Sequence, residues 1–535
     1  MTRVRLWAPA CAHVDLELAG RTIPMAPASD GWHETDAQLS PGARYRFRIG
    51  DATVPDPASR LQDGEWSVVT DPGAYRWRDD AWRGRPWEET VLYELHAGLM
   101  GGFTGIEAHL PRLAELGITA VELMPIAHFP GTRNWGYDGV LPYAPARAYG
   151  TPDALKQMID RAHALGLMVF LDVVYNHFGP DGNYLPVHAP DFFREDRHTP
   201  WGAGIDFRKE PVRRFFIDNA LYWVREFHID GLRLDAVHAI GDDGFIAELA
   251  RTVRAAAPGR HVHVVVENER NDAKLLAEAG IAQWNDDFHH AVHVLLTGES
   301  EGYYSAYAAA PVQGLATSLA GRFIQERSGP GPQLPPTAFV NFLQNHDHVG
   351  NRAFGERLTV LADETALKAA IGLLLLAPPI PLLFFGEETG ARDPFLYFCD
   401  HADGKLADAV REGRRGEFAK FPEFRDPARR AQIPDPNAPD TFERARPRLD
   451  GGTEWHMFYK DLLELRRARI VPRLKGCTAE GAEVVGPKAV RAAWRLGDGA
   501  RLTILVNLGR ETVSCPLPSA TPIWDSAGTR CWIEP

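Results

Sequence analysis

Between residues 91 and 388 the chain repeats one pattern: a short apolar run, a polar break, then an amphipathic helix. The apolar runs lie at 91–95, 118–124, 167–174, 231–235, 262–266, 338–343 and 382–385. Helical periodicity fills 106–116, 151–165, 211–226 and 365–376. Gly117 and Gly166 stop the first two helices, and Thr151-Pro152-Asp153 caps the second. Near-continuous apolar strands separated by helices are buried on both faces, which is the mark of parallel βα units. About eight such units predict a (β/α)8 TIM barrel in preference to an open sheet. In that fold the residues just past the strand C-termini build the active site.

The two ends of the chain have a different texture. Val14, Leu16 and Leu18 alternate with polar residues, and Tyr45, Phe47 and Ile49 alternate with Arg44, Arg46 and Arg48. Turn signals at Asp30-Gly31 and Pro41-Gly42 divide these runs, so residues 1–85 are expected to form a small β-sandwich. Trp32, Trp66 and Trp77 are read first as core or linker aromatics and second as sugar platforms. A helix at 455–467 and alternating runs at 490–494 and 502–508 place a second β-sandwich at 470–535. The barrel domain then occupies 86–469.

Composition narrows the partners. The net charge of −13 opposes nucleic acid and anionic membranes. The five cysteines (Cys11, Cys399, Cys477, Cys515, Cys531) are scattered without a C-x-x-C, as suits a reducing cytoplasm. The N-terminus has no apolar leader region, and the apolar run at 371–385 is broken by Pro378, Pro379 and Pro381. Neither a G-x-G-x-x-G nor a P-loop follows a strand, and no D-x-D-x-D-G loop offers a calcium site, so no cofactor or metal is expected.

The strand ends carry acids and histidines. Arg233 and Asp235 are two apart, hence on one face of a strand, and the guanidinium favours the charged form of the carboxyl. This pair fits either a nucleophile or a buried ion pair. Glu267 follows the apolar Val264-Val265-Val266, a setting that raises a carboxyl pKa, and is the candidate general acid. Glu269 has the same strand parity and is its rival. Asn345-His346-Asp347 alone is also compatible with a metal cluster. A retaining glycosidase needs two carboxyls about 5–5.5 Å apart, one ionised and one protonated.

At these residues the chain resembles the α-amylase superfamily of glycoside hydrolases. The matching blocks are Asp172-Val173-Val174-Tyr175-Asn176-His177, Gly231-Leu232-Arg233-Leu234-Asp235, the strand ending in Glu267, and Asn345-His346-Asp347. The resemblance narrows to the subfamily that cuts trehalose from malto-oligosyltrehalose. Glu122-Leu123-Met124-Pro125, Asn134 to Val140, Asn176 to Leu185, Arg214 to Ala220, Asp286 to His290 and Gly386-Glu387-Glu388 carry it.

The resemblance implies a barrel flanked by an N-terminal early-set sandwich and a C-terminal all-β domain. It implies hydrolysis, with retention, of the α-1,4 bond beside the terminal trehalose. Asp235 would be the nucleophile, Glu267 the acid/base and Asp347 the third acid, which stabilises the transition state. Tyr137, His177, Arg233, His238 and His346 would hold the reacting sugar. Asp286, Phe288, His289, Glu387 and Phe395 would border the leaving group. A branching or debranching enzyme shares this layout and is the alternative; a non-catalytic glucan-binding protein is the third reading. The implied functional partner is the synthase that makes malto-oligosyltrehalose. Three positions depart from the subfamily: Asn268-Glu269-Arg270 after the glutamate, His348 where Gln is expected, and Cys399 where Thr is usual.

Overall fold

The computed structural model describes residues 2–18, 20–199, 202–329 and 331–535. Among them, eight parallel strands close into a barrel in sequence order. They are β1 (Leu92–Leu95), β2 (Ala120–Leu123), β3 (Met168–Val173), β4 (Gly231–Leu234), β5 (His263–Val266), β6 (Ala282–Trp284), β7 (Phe339–Phe342) and β8 (Ile380–Phe384). Closure is made by β1 on β8, with Leu92 opposite Leu382. The expected barrel is therefore present. The apolar runs coincide with every strand but β6, whose three residues are too short to register a periodicity.

Alternation along the strands sorts the interior into layers. Leu92, Ala120, Phe170, Val265, Trp284 and Leu382 interdigitate as an apolar plug. Two residues further along β1 to β4 the same inward parity delivers Glu94, Glu122, Asp172 and Arg233. Polar chemistry thus begins where the plug ends, at the C-terminal mouth. Gly231 is required by this packing, because a Cβ there would lie 2.1 Å from the Phe170 ring. A Gly231→Ala change would force Phe170 aside, at a cost of about 1–3 kcal/mol.

The opposite mouth is sealed from outside the barrel. Trp82 and Trp87 pack on the plug from a segment that precedes β1. Trp87 Nε1 donates to the Thr337 carbonyl at 2.7 Å, and Trp82 Nε1 to Asp230 Oδ1 at 2.8 Å. Asp79 accepts from His163 and His228, both at 2.8 Å, tying the same segment down.

In the N-terminal region two antiparallel sheets share a core of Val4, Leu6, Leu16 and Phe47. Arg46 and Arg48 point outward to Glu17 and Asp15. Arg5 lies 4.3 Å over Trp32, Arg46 lies 4.2 Å over Trp66, and Trp77 stacks on His228 at 3.9 Å. Each of the three tryptophans therefore has a face already covered, as befits packing rather than a sugar platform.

At the C-terminus the helix Thr453–Leu465 leads to one five-stranded antiparallel sheet among the described residues, not the two facing sheets expected of a sandwich. The barrel supplies the missing layer. Thr529 Oγ1 donates to the Ala369 carbonyl of the helix Glu364–Leu376 at 2.7 Å, and Gly372 leaves room for Thr529. Arg466, fully buried, ties this region to the carbonyls of Leu375, Ala377 and Pro379. Among the described residues no helix is long and apolar enough to cross a membrane.

Candidate active site

Arg233 is the hub of the mouth. It is fully buried on β4 and reaches three carboxyls at once. Nη1 donates to Asp172 Oδ2 at 2.6 Å and to Asp235 Oδ1 at 2.9 Å; Nη2 donates to Glu267 Oε2 at 2.7 Å. Beneath it the Trp284 ring lies 4.1 Å from the guanidinium carbon, a cation–π floor supplied by β6. Burial works against the guanidinium charge, but Asp172, Tyr137, Glu267 and Asp235 outweigh it and raise its pKa further. A buried cation with this many anionic partners is the condition under which such a charge is tolerated.

Asp235 follows the last residue of β4. Its Oδ1 accepts from Arg233, and its Oδ2 from Asn176 Nδ2 at 2.7 Å. The same amide also holds the Asp235 carbonyl at 2.9 Å, so side chain and backbone are fixed together. Both oxygens face obligate donors, the arrangement of a carboxylate. Ala236 comes next in the left-handed region, at φ 41°, a conformation that costs a non-glycine residue about 1 kcal/mol. That turn aims the Ala236 N–H at Glu267 Oε2, 3.1 Å away.

Glu267 therefore has one oxygen held by two donors, while Oε1 has no protein partner among the described residues. Burial raises its pKa well above the carboxylate range. Arg233 pulls it down, and Asp235, Asp347 and Asp286 push it up again. The proton then belongs on Oε1, the oxygen without a donor. The rival, Glu269, is exposed and sits 3.5 Å from Arg327, not from Arg270. Arg270 pairs with Asp243.

Tyr137 donates its hydroxyl to Asp172 Oδ2 at 2.6 Å, and its ring stacks on His346 at 5.0 Å. Burial, partly offset by Arg233, pushes the Asp172 carboxyl up to about 6. His177 Nε2 meets the Tyr137 carbonyl at 2.9 Å, and its Nδ1 meets Asn176. His346 is held by Glu94 on one side and by Asp347 Oδ2, 3.2 Å away, on the other. Burial would lower its pKa, yet Asp347 and Glu94 raise it well above 6.5. Burial acts on Asp347 in the opposite sense, and the charge of His346 overcomes it, holding that carboxyl far below its usual range. Both ring nitrogens of His346 thus meet carboxylates.

The remaining expected residues divide. Asp286 lies just past β6, 3.3 Å from His348 Nε2. His289 is buried beneath His348, the rings 3.6 Å apart. His238 Nδ1 is 3.4 Å from the Glu269 backbone nitrogen. Among the described residues Glu387 makes no hydrogen bond or ion pair to Asp235, Glu267 or Asp347. Its oxygens accept from Gln344 at 3.1 Å and Tyr459 at 3.3 Å, and burial lifts its pKa to about 8. Phe288 and Phe395 are wholly buried, Phe395 against Trp135. Cys399 is also buried and contacts Asn437. Sequence reasoning missed Glu94, Glu122 and Trp284. The inward parity of β1 and β2 would have found the two acids.

Comparison with known proteins agrees with this geometry. Residues 60–196 match the family model described as "Alpha amylase, catalytic domain", and residues 477–530 match "Domain of unknown function (DUF3459)". The chain is 39% identical over 542 residues to a malto-oligosyltrehalose trehalohydrolase of Deinococcus radiodurans, covering 96% of this chain and 88% of that one. It is 39% identical to that of Saccharolobus solfataricus, covering 86% and 84%. A crystal structure from Salmonella typhimurium, described as a putative alpha amylase, superposes with a TM-score of 0.92 at 42% identity, covering 100% of this chain and 97% of that one. With relatives this similar from end to end, and an α-amylase-type barrel built around Arg233, the chain belongs to the malto-oligosyltrehalose trehalohydrolase family.

Proposed function

We propose that the protein hydrolyses, with retention, the α-1,4 bond joining a malto-oligosaccharide to its terminal trehalose. The observation that carries the reading is the shared guanidinium of Arg233, one hydrogen bond from Asp235 and one from Glu267. A single bridging group suits the short separation of a retaining pair, about 5–5.5 Å, better than the wider gap of an inverting one.

In this reading an Asp235 oxygen attacks the anomeric carbon of the glucose next to trehalose. The glycosidic C–O bond breaks, and the Glu267 proton passes to the departing trehalose oxygen. Water then adds to the anomeric carbon, giving its proton back to Glu267 as the Asp235 ester is released. Asp347, held by His346, accepts from hydroxyls of the distorted ring; Tyr137, His177 and His238 line the same sugar, and Asp286 the leaving group. Arg233 orients both carboxyls throughout. The substrate must be supplied by an enzyme that turns the reducing end of a maltodextrin into trehalose, the synthase the family resemblance implies. The five cysteines are free, in keeping with a cytoplasmic setting. We divide the chain into 1–85, 86–469 and 470–535 on the same reading.

Incubating the protein with maltotriosyltrehalose tests this. Trehalose and maltotriose in equal amounts are expected. A change in linkage without release of small sugars would identify a branching enzyme instead.

A further inference from the structure

Asp347 is flanked by two histidines with opposite surroundings. His346 faces the β1–β3 side, against Glu94, Tyr137 and Trp135. His348 turns toward the β6 side. Its ring lies flat on His289, centroids 3.6 Å apart and planes 26° apart. Its backbone N–H is fixed by Asn345 Oδ1 at 3.0 Å, and His289 is itself locked by the Leu343 carbonyl at 2.6 Å. The His348 ring is thus rigidly presented.

Its Nε2 lies 3.3 Å from Asp286 Oδ1, close enough for a charged contact, yet it makes no hydrogen bond among the described residues and is buried. A polar atom buried without a hydrogen bond is destabilising. A ligand hydroxyl that satisfied it would recover that cost.

Which part of the substrate comes here follows from the two carboxyls. Nucleophile and acid flank the scissile bond, and the acid stands beside the departing oxygen. Glu267 directly follows β5, so the leaving group lies toward β5 to β7. Asp286 is in that sector, near enough for its charge to weigh on Glu267.

We propose that His348 determines specificity for the leaving disaccharide, its Nε2 hydrogen-bonding a trehalose hydroxyl while Asp286 holds the same sugar from the other side. This rests on the trehalose-releasing reading above. A site with a buried polar atom committed to one hydroxyl rejects a leaving group that fails to meet it. Maltose disposes its second ring differently about its linkage, so it leaves Nε2 unsatisfied.

The two products separate the two halves of the site, because trehalose as an inhibitor occupies the leaving-group half and maltotriose the other. In His348→Ala the inhibition constant of trehalose is expected to rise about tenfold, equivalent to about 1.4 kcal/mol, with that of maltotriose unchanged. The preference in kcat/KM for maltotriosyltrehalose over maltohexaose should fall by a similar factor. His348→Gln, which keeps an N–H donor, should recover most of both and guards against a folding defect in the alanine variant. Equal weakening of trehalose and maltotriose, or no weakening of trehalose, overturns the proposal. Failure of the wild-type protein to release trehalose at all overturns the reading beneath it instead.

Discussion

The two halves of the barrel mouth handle charge in opposite ways. Around β1 to β4 and the adjoining His346, acids are met by cations. Arg233 serves Asp172 and Asp235, and His346 stands between Glu94 and Asp347 with its pKa raised. Around β5 to β7 the balance goes the other way for Glu267, although Arg233 also donates to it. Glu267 is pushed up, and burial together with neighbouring histidines pushes His289 well below 6.5 and His290 to about 3. Neither half is uniform, since burial also raises Glu122 and lifts Asp172 to about 6, but the site holds Asp347 charged while it holds a proton on Glu267. The proposed double displacement needs both at once, and giving adjacent strands different neighbours is how a barrel can supply them.

The sharpest way to break this contrast is to neutralise one residue from each half. Asp235→Asn should lower kcat by at least about 10^3-fold on every substrate, since no nucleophile remains. Glu267→Gln should do comparable harm to maltotriosyltrehalose but retain turnover of an α-glucosyl fluoride, whose leaving group needs no proton. Steady-state kinetics on the two substrates reads the difference. Equal loss on both for Glu267→Gln would remove it from the protonating role.

Arg233→Met attacks the charged half at its hub. It leaves Asp172, Asp235 and Glu267 without their cation, and losing one partner of a buried ionic network costs about 3–5 kcal/mol. Denaturant unfolding should show that loss. With less positive charge Glu267 holds its proton to higher pH, so the alkaline limb of the pH–rate curve moves upward in whatever activity survives.

Asp286→Asn is a smaller change to the other half. The wild-type curve should fall on the alkaline side as pH rises through the raised pKa of Glu267. Removing the repulsion of Asp286 lowers that pKa, so the alkaline limb should move to lower pH by less than about one unit. Movement in the opposite direction would exclude Asp286 as a source of the shift. Tyr137→Phe is expected to do least. It removes the 2.6 Å bond to Asp172 but keeps the ring on His346, and should change kcat/KM about tenfold or less.

Much of the charged half was legible in the sequence. Arg233 and Asp235 share a face by spacing alone, and the apolar runs mark where the strands end. The other half was harder to read. Strand β6 carries three residues, so Trp284 beneath Arg233 and Asp286 beyond it had no periodic frame. Ala236 adopts a left-handed conformation that no glycine or asparagine announces; the held backbone of Asp235 and the Glu267 carboxylate impose it. Glu387, Phe288 and Phe395 were placed near the leaving group by motif. Their side chains turn into the core, and a motif records neighbours in sequence without recording direction. The C-terminal strands predicted a sandwich because alternation says that one face is buried and not what buries it.

The pairing of Leu92 with Leu382 has a consequence in time as well as space. The two residues are about 290 positions apart, so β1 waits for β8 with an open edge while the rest of the barrel is being made. The entropy of closing so long a loop grows only slowly with length, yet the search for it sets the pace of folding. Trp82 and Trp87 are synthesised before the cavity they plug exists. Until the ring closes they are exposed aromatics beside an unpaired strand, the combination most prone to sticking between chains. A chain stopped before β8 should therefore aggregate rather than fold to a smaller enzyme, and the last barrel strand is the point at which this molecule becomes safe from its own surfaces.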